Sequence, residues 1–214
     1  MKHGFDNEKY LKIQSEHIKE RISKFGNKLY LEFGGKLFDD YHASRVLPGF
    51  EPDSKLKMLM QLRDDAEIVI AISAKDIEKN KVRGDLGITY DVDVLRLRDE
   101  FMGRGLMVSA VVITQYYGQG SAMAFRERLE RLGISVYYHY AIEGYPTNVE
   151  LICSENGFGK NEYVKTTRPL VVVTAPGPEA ARWQCVSANC IRKTSAASRR
   201  AMPNSRLSPS GASR

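Results

Sequence analysis

The chain has 214 residues, enough for one α/β domain with a packed core, and its formal net charge of +6 points first to a polyanion partner. That charge is not spread evenly: residues 179–214 hold seven basic residues and one acidic residue, so residues 1–178 are neutral and the body is no polyanion binder. No run approaches the ~18 apolar residues of a membrane span, and the N-terminus lacks a signal peptide's apolar core. Cys153 is the only cysteine before residue 179, so the body forms no internal disulfide and a reducing cytoplasm is the expected setting.

In chain order, Asp6 or Asn7 caps a predicted helix that runs to about residue 25. Tyr10, Leu11, Ile13, Ile18 and Ile22 give it an approximate apolar stripe, and Gly26 ends it. Residues 29–33 read as a strand that stops at Gly34-Gly35-Lys36. A second helix over 53–63 carries Leu56, Leu59, Met60 and Leu62, and leads into a strand over 67–72 too apolar to be half exposed. A helix over 91–102 precedes a strand over 107–114, and a helix over 121–131 ends at Gly133 before a strand over 134–140. Strand and helix alternate with continuously apolar strands. The pattern predicts a three-layer, Rossmann-like α/β fold built on a mainly parallel sheet with helices on both faces.

Leu170 to Val173 are four consecutive large apolar residues, a strand buried on both faces, and Thr174-Ala175-Pro176-Gly177-Pro178 leaves it in a glycine-containing loop. A strand that runs into such a loop and then a helix is where backbone N–H groups cradle phosphate. Instead the composition breaks. From residue 179 onward aromatic and large aliphatic residues nearly vanish, and EAARWQC has neither turn chemistry nor an apolar period. One reading is a disordered basic tail. The other is a lost base: restoring one G before the codon of Glu179 turns EAARWQCVSANCIRK into GSGKMAMCLSQLYPE, which supplies glycine, lysine and a helix with apolar residues at helical spacing. Two of three bases in each new codon are dictated by the existing residues, so so long a recoding is not a free choice, and the lost base is the favoured reading. Residues 1–178 then form the α/β domain, and 179–214 an out-of-frame, disordered tail.

The strings LEFGGKLFDDYHASRVLPGF (31–50), DIEKNKVRGDLGITYDVDVLRL (76–97) and GKNEYVKTTRPLVVVTAPGP (159–178) resemble the bacterial family called domain of unknown function 1846. The resemblance covers essentially all of 1–178. It implies a cytoplasmic α/β family whose full chains run well beyond this one, and it implies no known reaction.

In parallel α/β sheets ligands gather beyond the carboxyl ends of the strands, so the loops there hold the candidate chemistry. After the first strand, Gly34, Gly35, Lys36, Asp39, Asp40, His42 and Arg45 bring two carboxylates, an imidazole and two cations together, suited to phosphate and a divalent cation. The second loop carries Arg83, Gly84 and Asp85 amid dense alternating charge. The third, Gln115 to Ser121 with Gly118, is a candidate anion nest at a helix start. Lys160, beside Gly157 and Gly159, is a further phosphate donor. Thr174, Ala175 and Gly177 form the last loop, which with the restored residues resembles a phosphate-binding loop with a Met where Ser or Thr would hold magnesium. The four histidines show no metal-ligand spacing, no metal site is assigned, and there is no Gly-x-Ser-x-Gly elbow.

Asp39, Asp40, His42 and Asp85 are the candidate catalytic groups. The expected function is binding of a nucleotide, such as ATP with magnesium, or of another small phosphorylated molecule, by a transferase- or hydrolase-type enzyme that is truncated and inactive here. A non-enzymatic ligand-binding or regulatory role is the alternative. Nucleic acid is expected only non-specifically through the tail, a membrane partner is not, and homo-oligomerisation stays open.

Overall fold

The computed structural model describes residues 5–32, 37–38, 45–177 and 185–186. Helix α1 (Asn7–Lys24) starts at Asp6, whose side chain accepts from the Lys9 N–H at 3.0 Å, and buries Leu11 and Ile18. It is followed by β1 (Leu29–Glu32), α2 (Ser54–Gln61) and β2 (Ala66–Ser73). A short helix α3 (Ala74–Glu78) and a hairpin, β3 (Val82–Arg83) with β4 (Ile88–Thr89), lead to α4 (Tyr90–Gly103). Then come β5 (Met107–Tyr116), α5 (Gly120–Arg131) and β6 (Val136–Tyr140). Helix α6 (Val149–Cys153) and a 3-10 turn at Phe158–Lys160 precede β7 (Leu170–Thr174).

Among the described residues five strands form one sheet in the order β1-β7-β2-β5-β6, with every pairing in it parallel. The fold is thus a mainly parallel α/β sheet with flanking helices, consistent with the three-layer class the sequence predicts. Alternation along the strands divides the core in two. Ile68, Ile70, Ile72, Val111, Ile113, Leu170 and Val172 face the larger cluster, where Leu11, Ile18, Leu59, Val94, Phe101, Phe125 and Leu129 of α1, α2, α4 and α5 meet them. Val69, Ala71, Ala110, Val112, Val171 and Val173 face the other way, against Val164 and Cys185.

The handedness of parallel crossovers accounts for this asymmetry. β1 to β2, β2 to β5 and β5 to β6 all step the same way across the sheet, so right-handed connections put their helices on one face. β6 to β7 steps back, which puts that connection, with Val164, on the other. The long helices of those three connections therefore share a face, where α1 also packs, because the strand order, which the sequence does not display, sets the direction of each step.

The outer edge of β6 is closed by side chains of this returning segment. Glu162 Oε2 accepts from the Tyr138 N–H at 2.7 Å, Asn161 Oδ1 accepts from the Tyr140 N–H at 2.7 Å, and the Glu162 N–H donates to the Tyr138 carbonyl at 3.0 Å. Edge donors that would invite another strand are thereby taken up. Arg126 steadies the arrangement from α5, donating to both Glu162 oxygens at 3.1 and 3.2 Å while stacking 4.5 Å from the Tyr138 ring. Burial opposes its charge, but the bonds to Glu130 and Glu162 outweigh that and raise its pKa.

At the amino end of the sheet, the fully buried Glu67 of β2 accepts from the Arg168 N–H at 2.6 Å and from Lys28 Nζ at 3.3 Å. Lys28 Nζ also donates to the Arg168 carbonyl at 2.5 Å, and the Arg168 guanidinium to the carbonyls of Arg63 and Ala66. One carboxylate thus ties together the chain entering β1, β2 and β7.

Several expected boundaries shift. α4 begins one residue earlier than 91, α5 at Gly120 rather than Ser121, and β5 runs on to Tyr116. The charged segment after β2, expected as one open loop, folds into α3 and the β3–β4 hairpin because Ser73 caps α3 by accepting from the Lys75 N–H. Of the basic segment expected to be disordered, only Cys185 and Val186 are described: both are helical, and Cys185 is buried against the second core. No described helix is long and apolar enough to cross a membrane.

Candidate functional site at the carboxyl edge of the sheet

β7 lies between β1 and β2, with Thr174 opposite Ile70. β7 ends at that pair, while β2 runs three residues farther to Ser73, which lies opposite Thr114 of β5. The chains leaving β2 and β5 turn to the helical face, while the chain leaving β6 returns on the other. In parallel sheets such a change of side between neighbouring strands marks where ligands gather beyond the carboxyl ends.

Gly177 is where backbone and ring meet. A Cβ built on it would lie 2.3 Å from Tyr90 Cε2 and 3.0 Å from Tyr90 Oη, so only glycine lets the loop pass the first residue of α4. Tyr90 is itself buried, its N–H donates to the Lys81 carbonyl at 2.9 Å, and Lys81 Nζ lies 5.6 Å from its ring centroid. Lys81 Nζ in turn lies 3.3 Å from Oδ1 of buried Asp76. Asp76, Lys81, Tyr90 and Gly177 thus form one chain of contacts from β2 to β7. Gly177→Ala is expected to lower the melting temperature by several degrees, with most of the loss recovered by Tyr90→Leu, as overpacking of a filled core typically costs 1–3 kcal/mol. Equal melting temperatures for wild type and Gly177→Ala in a thermal scan would contradict the close approach.

On the other side of β2, Ser73 Oγ donates to Gln115 Oε1 at 3.0 Å. Gln115, near the end of β5 where the register with β6 shifts, holds a φ of +54°, a left-handed conformation that a side chain disfavours, so the last residues of the strand are held in a strained shape. Gly118 follows at φ +109°, with open space around its Cβ position. Gln119, not Ser121, is the N-cap of α5, and Ser121 lies exposed in the first turn. Gln119 Oε1 accepts from the Tyr117 N–H at 2.9 Å, and the Tyr117 hydroxyl donates to Glu78 Oε2 at 3.2 Å.

The other sequence-derived candidates fall apart from this centre. Arg83 is not a free phosphate donor. It donates to Asp85 at 2.8 and 3.1 Å and to Asp93, which is fully buried and also takes Arg96 Nε at 2.7 Å. Burial works against the Arg83 charge, yet these bonds raise its pKa. The pair Arg83–Asp85 closes the hairpin onto α4, and Gly84 sits in open space at its turn. Lys160 is exposed, with Nζ 4.7 Å from the Tyr140 ring, and Tyr140 lies beside Tyr116, itself stacked on Tyr138 at 3.9 Å. Thr174 is buried at the end of β7, and Ala175 packs on the second core. Arg45 is exposed, while Gly34, Gly35, Lys36, Asp39, Asp40 and His42 lie outside the described residues.

Three buried polar atoms near this end of the sheet have no hydrogen-bond partner among the described residues: Asp76 Oδ2, Gln119 Nε2 and His139 Nδ1. The sequence places Asp76 in the charged loop after β2 and Gln119 in the candidate anion nest, without singling out either residue. The signal for His139 was alternation: beside Tyr138 in a strand covered on both faces, it has no solvent to turn to. Its Nε2 meets the Glu162 carbonyl at 3.2 Å, and burial lowers its pKa to about 4. No group of three or more His, Cys, Asp or Glu side chains suited to a metal ion occurs among the described residues. Two open depressions, about 610 Å³ lined by Arg96, Asp99, Glu100, Gly103 and Arg104 and about 570 Å³ lined by Ala124, Arg128, Arg131 and Leu132, lie on α4 and at the far end of α5. Neither coincides with the carboxyl edge, and the buried unpaired groups are the stronger guide to a ligand than such open surface.

A parallel α/β domain with a switch point at the carboxyl ends of its strands is the class that the fold and this edge define. The chain belongs to the family described as "Domain of unknown function DUF1846, N-terminal", whose model matches residues 3–201. It is 62% identical over 176 residues to a UPF0371 protein of Corynebacterium aurimucosum, covering 82% of this chain and 35% of the relative. A UPF0371 protein of Streptococcus pneumoniae is 58% identical over 177 residues, covering 83% of this chain and 36% of the relative. The chain spans about a third of the length of the curated relatives it matches.

Proposed function

We propose that this domain binds a small phosphorylated molecule or a nucleotide at the carboxyl edge, in the crevice between the loops after β2, β5 and β7. The observation that carries the reading is the set of buried, partnerless polar atoms gathered there, an acceptor on Asp76 and a donor on Gln119. A buried polar atom left unpaired costs ~1–3 kcal/mol, so folds place such atoms where a ligand or an ordered water completes them. Asp76 with Lys81 faces the β7 loop, and Tyr116 and Tyr140 flank the β5 loop with Lys160 above. Transferase or hydrolase chemistry on the bound phosphate belongs to the longer family chain, in a cytoplasmic setting. The Arg83–Asp85–Asp93 network serves to hold the hairpin rather than the ligand.

Thermal shift of the 214-residue chain tests the binding. ATP with magnesium, ADP and inorganic phosphate, each compared with sodium chloride at equal ionic strength, are expected to include a probe that raises the melting temperature by a few degrees. A ligand at a hundred times its dissociation constant adds about 2.7 kcal/mol. A flat response to all three would sink the proposal. A non-enzymatic role shares the same site and differs only in turnover.

The lost-base reading completes this proposal at the β7 loop. With the frame restored, the chain after residue 178 would continue GSGKMAMC and add glycine N–H groups and a lysine beside Gly177. Sequencing the gene across codons 176–182 decides it: a base count that matches the present frame in source and close relatives alike would remove it.

A further inference from the structure

We infer that the phosphoryl group of the ligand is seated at the N-terminus of α5, over Gly118, and that Gln119 is the side chain that recognises it. This rests on the proposed ligand site at the carboxyl edge and names its anion subsite. Two loops compete for that role, and the space around their glycines separates them. At Gly177 the position of a Cβ is filled by the Tyr90 ring at 2.3 Å, so an anion could approach that backbone only by displacing a buried tyrosine. At Gly118 and Gly120 nothing lies within 4 Å of the same position.

The backbone groups that the open loop presents are donors, with the Glu78 carboxylate taken up by the Tyr117 hydroxyl. α5 has twelve residues, and the Met123 N–H donates to the Gln119 carbonyl as its first backbone bond, so the N–H groups of Gly120, Ser121 and Ala122 precede it without intrahelical partners. No acidic residue occupies the first turn to neutralise them, and the cap makes no side-chain bond to them. Gln119 adds a fourth donor. Its Oε1 is engaged by the Tyr117 N–H, and reversing the amide would set two donors against each other, which fixes Nε2 as the free end. Gln119 is only 4% exposed, and Nε2 has no partner among the described residues. An oxyanion lying on the first turn of α5 would supply the acceptor that this amide lacks, and the partial positive charge of the helix end favours an anion there. An uncharged hydroxyl would satisfy Nε2 alone and leave the three N–H groups to water, so the chemistry fits a phosphate ester. The strained φ of Gln115 and its bond from Ser73 fix the end of β5 from which this loop departs.

The test is a ¹⁵N-resolved NMR titration of the 214-residue chain with inorganic phosphate, then with ATP and magnesium, against sodium chloride at matched ionic strength. The expected result is saturable shifts of the Gly118, Gly120, Ser121 and Ala122 amides, together with the Gln119 side-chain NH₂. Gln119→Glu, which puts a carboxylate against the anion, is expected to weaken phosphate binding at least tenfold, and Gln119→Leu several-fold. Gln119→Glu keeps the acceptor for the Tyr117 N–H that Gln119→Leu removes, and a wild-type-like amide spectrum without phosphate checks that each variant folds. Shifts centred on Ala175 and Gly177 instead would overturn the inference while leaving the proposed function standing. Phosphate binding unchanged in Gln119→Glu would also overturn it. Absence of any shift at the carboxyl edge with every probe would overturn both.

Discussion

Replacing Glu67 with alanine is expected to destabilise the fold by about 3–5 kcal/mol, the cost of breaking a buried ion pair from one side. The carboxylate is fully buried and Lys28 is 12% exposed, so their attraction is little screened, and loss of the carboxylate removes one acceptor from the ammonium and leaves the Arg168 N–H unsatisfied. Because the clasp holds the entries to β1, β2 and β7, the damage spreads over three adjacent strands. Glu67→Gln keeps an oxygen for the Arg168 N–H and is expected to cost clearly less than Glu67→Ala. Lys28→Met is expected to lie between them, since it strands the carboxylate but leaves that bond. Urea denaturation followed by far-UV circular dichroism measures all three. If Glu67→Ala and Lys28→Met both fall within ~0.5 kcal/mol of wild type, as surface changes do, the clasp is not the element proposed.

The second large effect is a loss of stability in mild acid that originates in His139. The ring is 1% exposed on the second face of the sheet, and burial holds its pKa at about 4, against about 6.5 in an unfolded chain. Between those values the unfolded chain binds a proton that the folded chain refuses, so stability is intact above about pH 6.5 and falls as the pH drops toward 4. The shift corresponds to roughly 3 kcal/mol over that window. His139→Gln keeps a donor for the Glu162 carbonyl and cannot titrate. The difference in unfolding free energy between wild type and His139→Gln should therefore change by about that amount between pH 7 and pH 4. A pH-independent difference would mean that the ring is solvated. Carboxylates contribute to acid unfolding in both proteins and cancel in the comparison.

Both effects arise at positions where a polar residue sits inside a run that reads as apolar or structural, and they show where sequence reasoning stops. The parallel α/β class was legible because the strands are apolar on both faces: Ile68, Val69, Ile70, Ala71 and Ile72 alternate between the two clusters, and no half-exposed strand has that composition. Helix α1 was legible from its Asp6 cap and its stripe. α3 and the β3–β4 hairpin were not, because a five-residue helix and two-residue strands are too short for a period to register beside so many charges.

The candidate site divides in the same way. Sequence pointed to the loops after the strands, and to Gly118 and Gly177 within them, since glycine among polar residues after an apolar run signals a turn whatever the rest of the fold. It also favoured Arg83 and Asp85, for they are charged and flanked by glycine. Only the tertiary structure pairs those two with each other and with Asp93, ten residues away on α4, and so takes them out of the candidate ligand shell. Gln119 and Asp76 became candidates through what their neighbours fail to supply, a property of three-dimensional packing that no spacing in one dimension encodes.

The sequence by itself determined the class of fold, the neutrality of residues 1–178 and the end of the sheet to search, because these follow from local periodicity, turn chemistry and charge counts. The strand order, the face each connection takes, the clasp at Glu67 and the contrast between a filled Gly177 and an open Gly118 were decided only by the tertiary structure. They depend on contacts such as that between Lys28 and Arg168, 140 residues apart, whose energies local sequence does not carry.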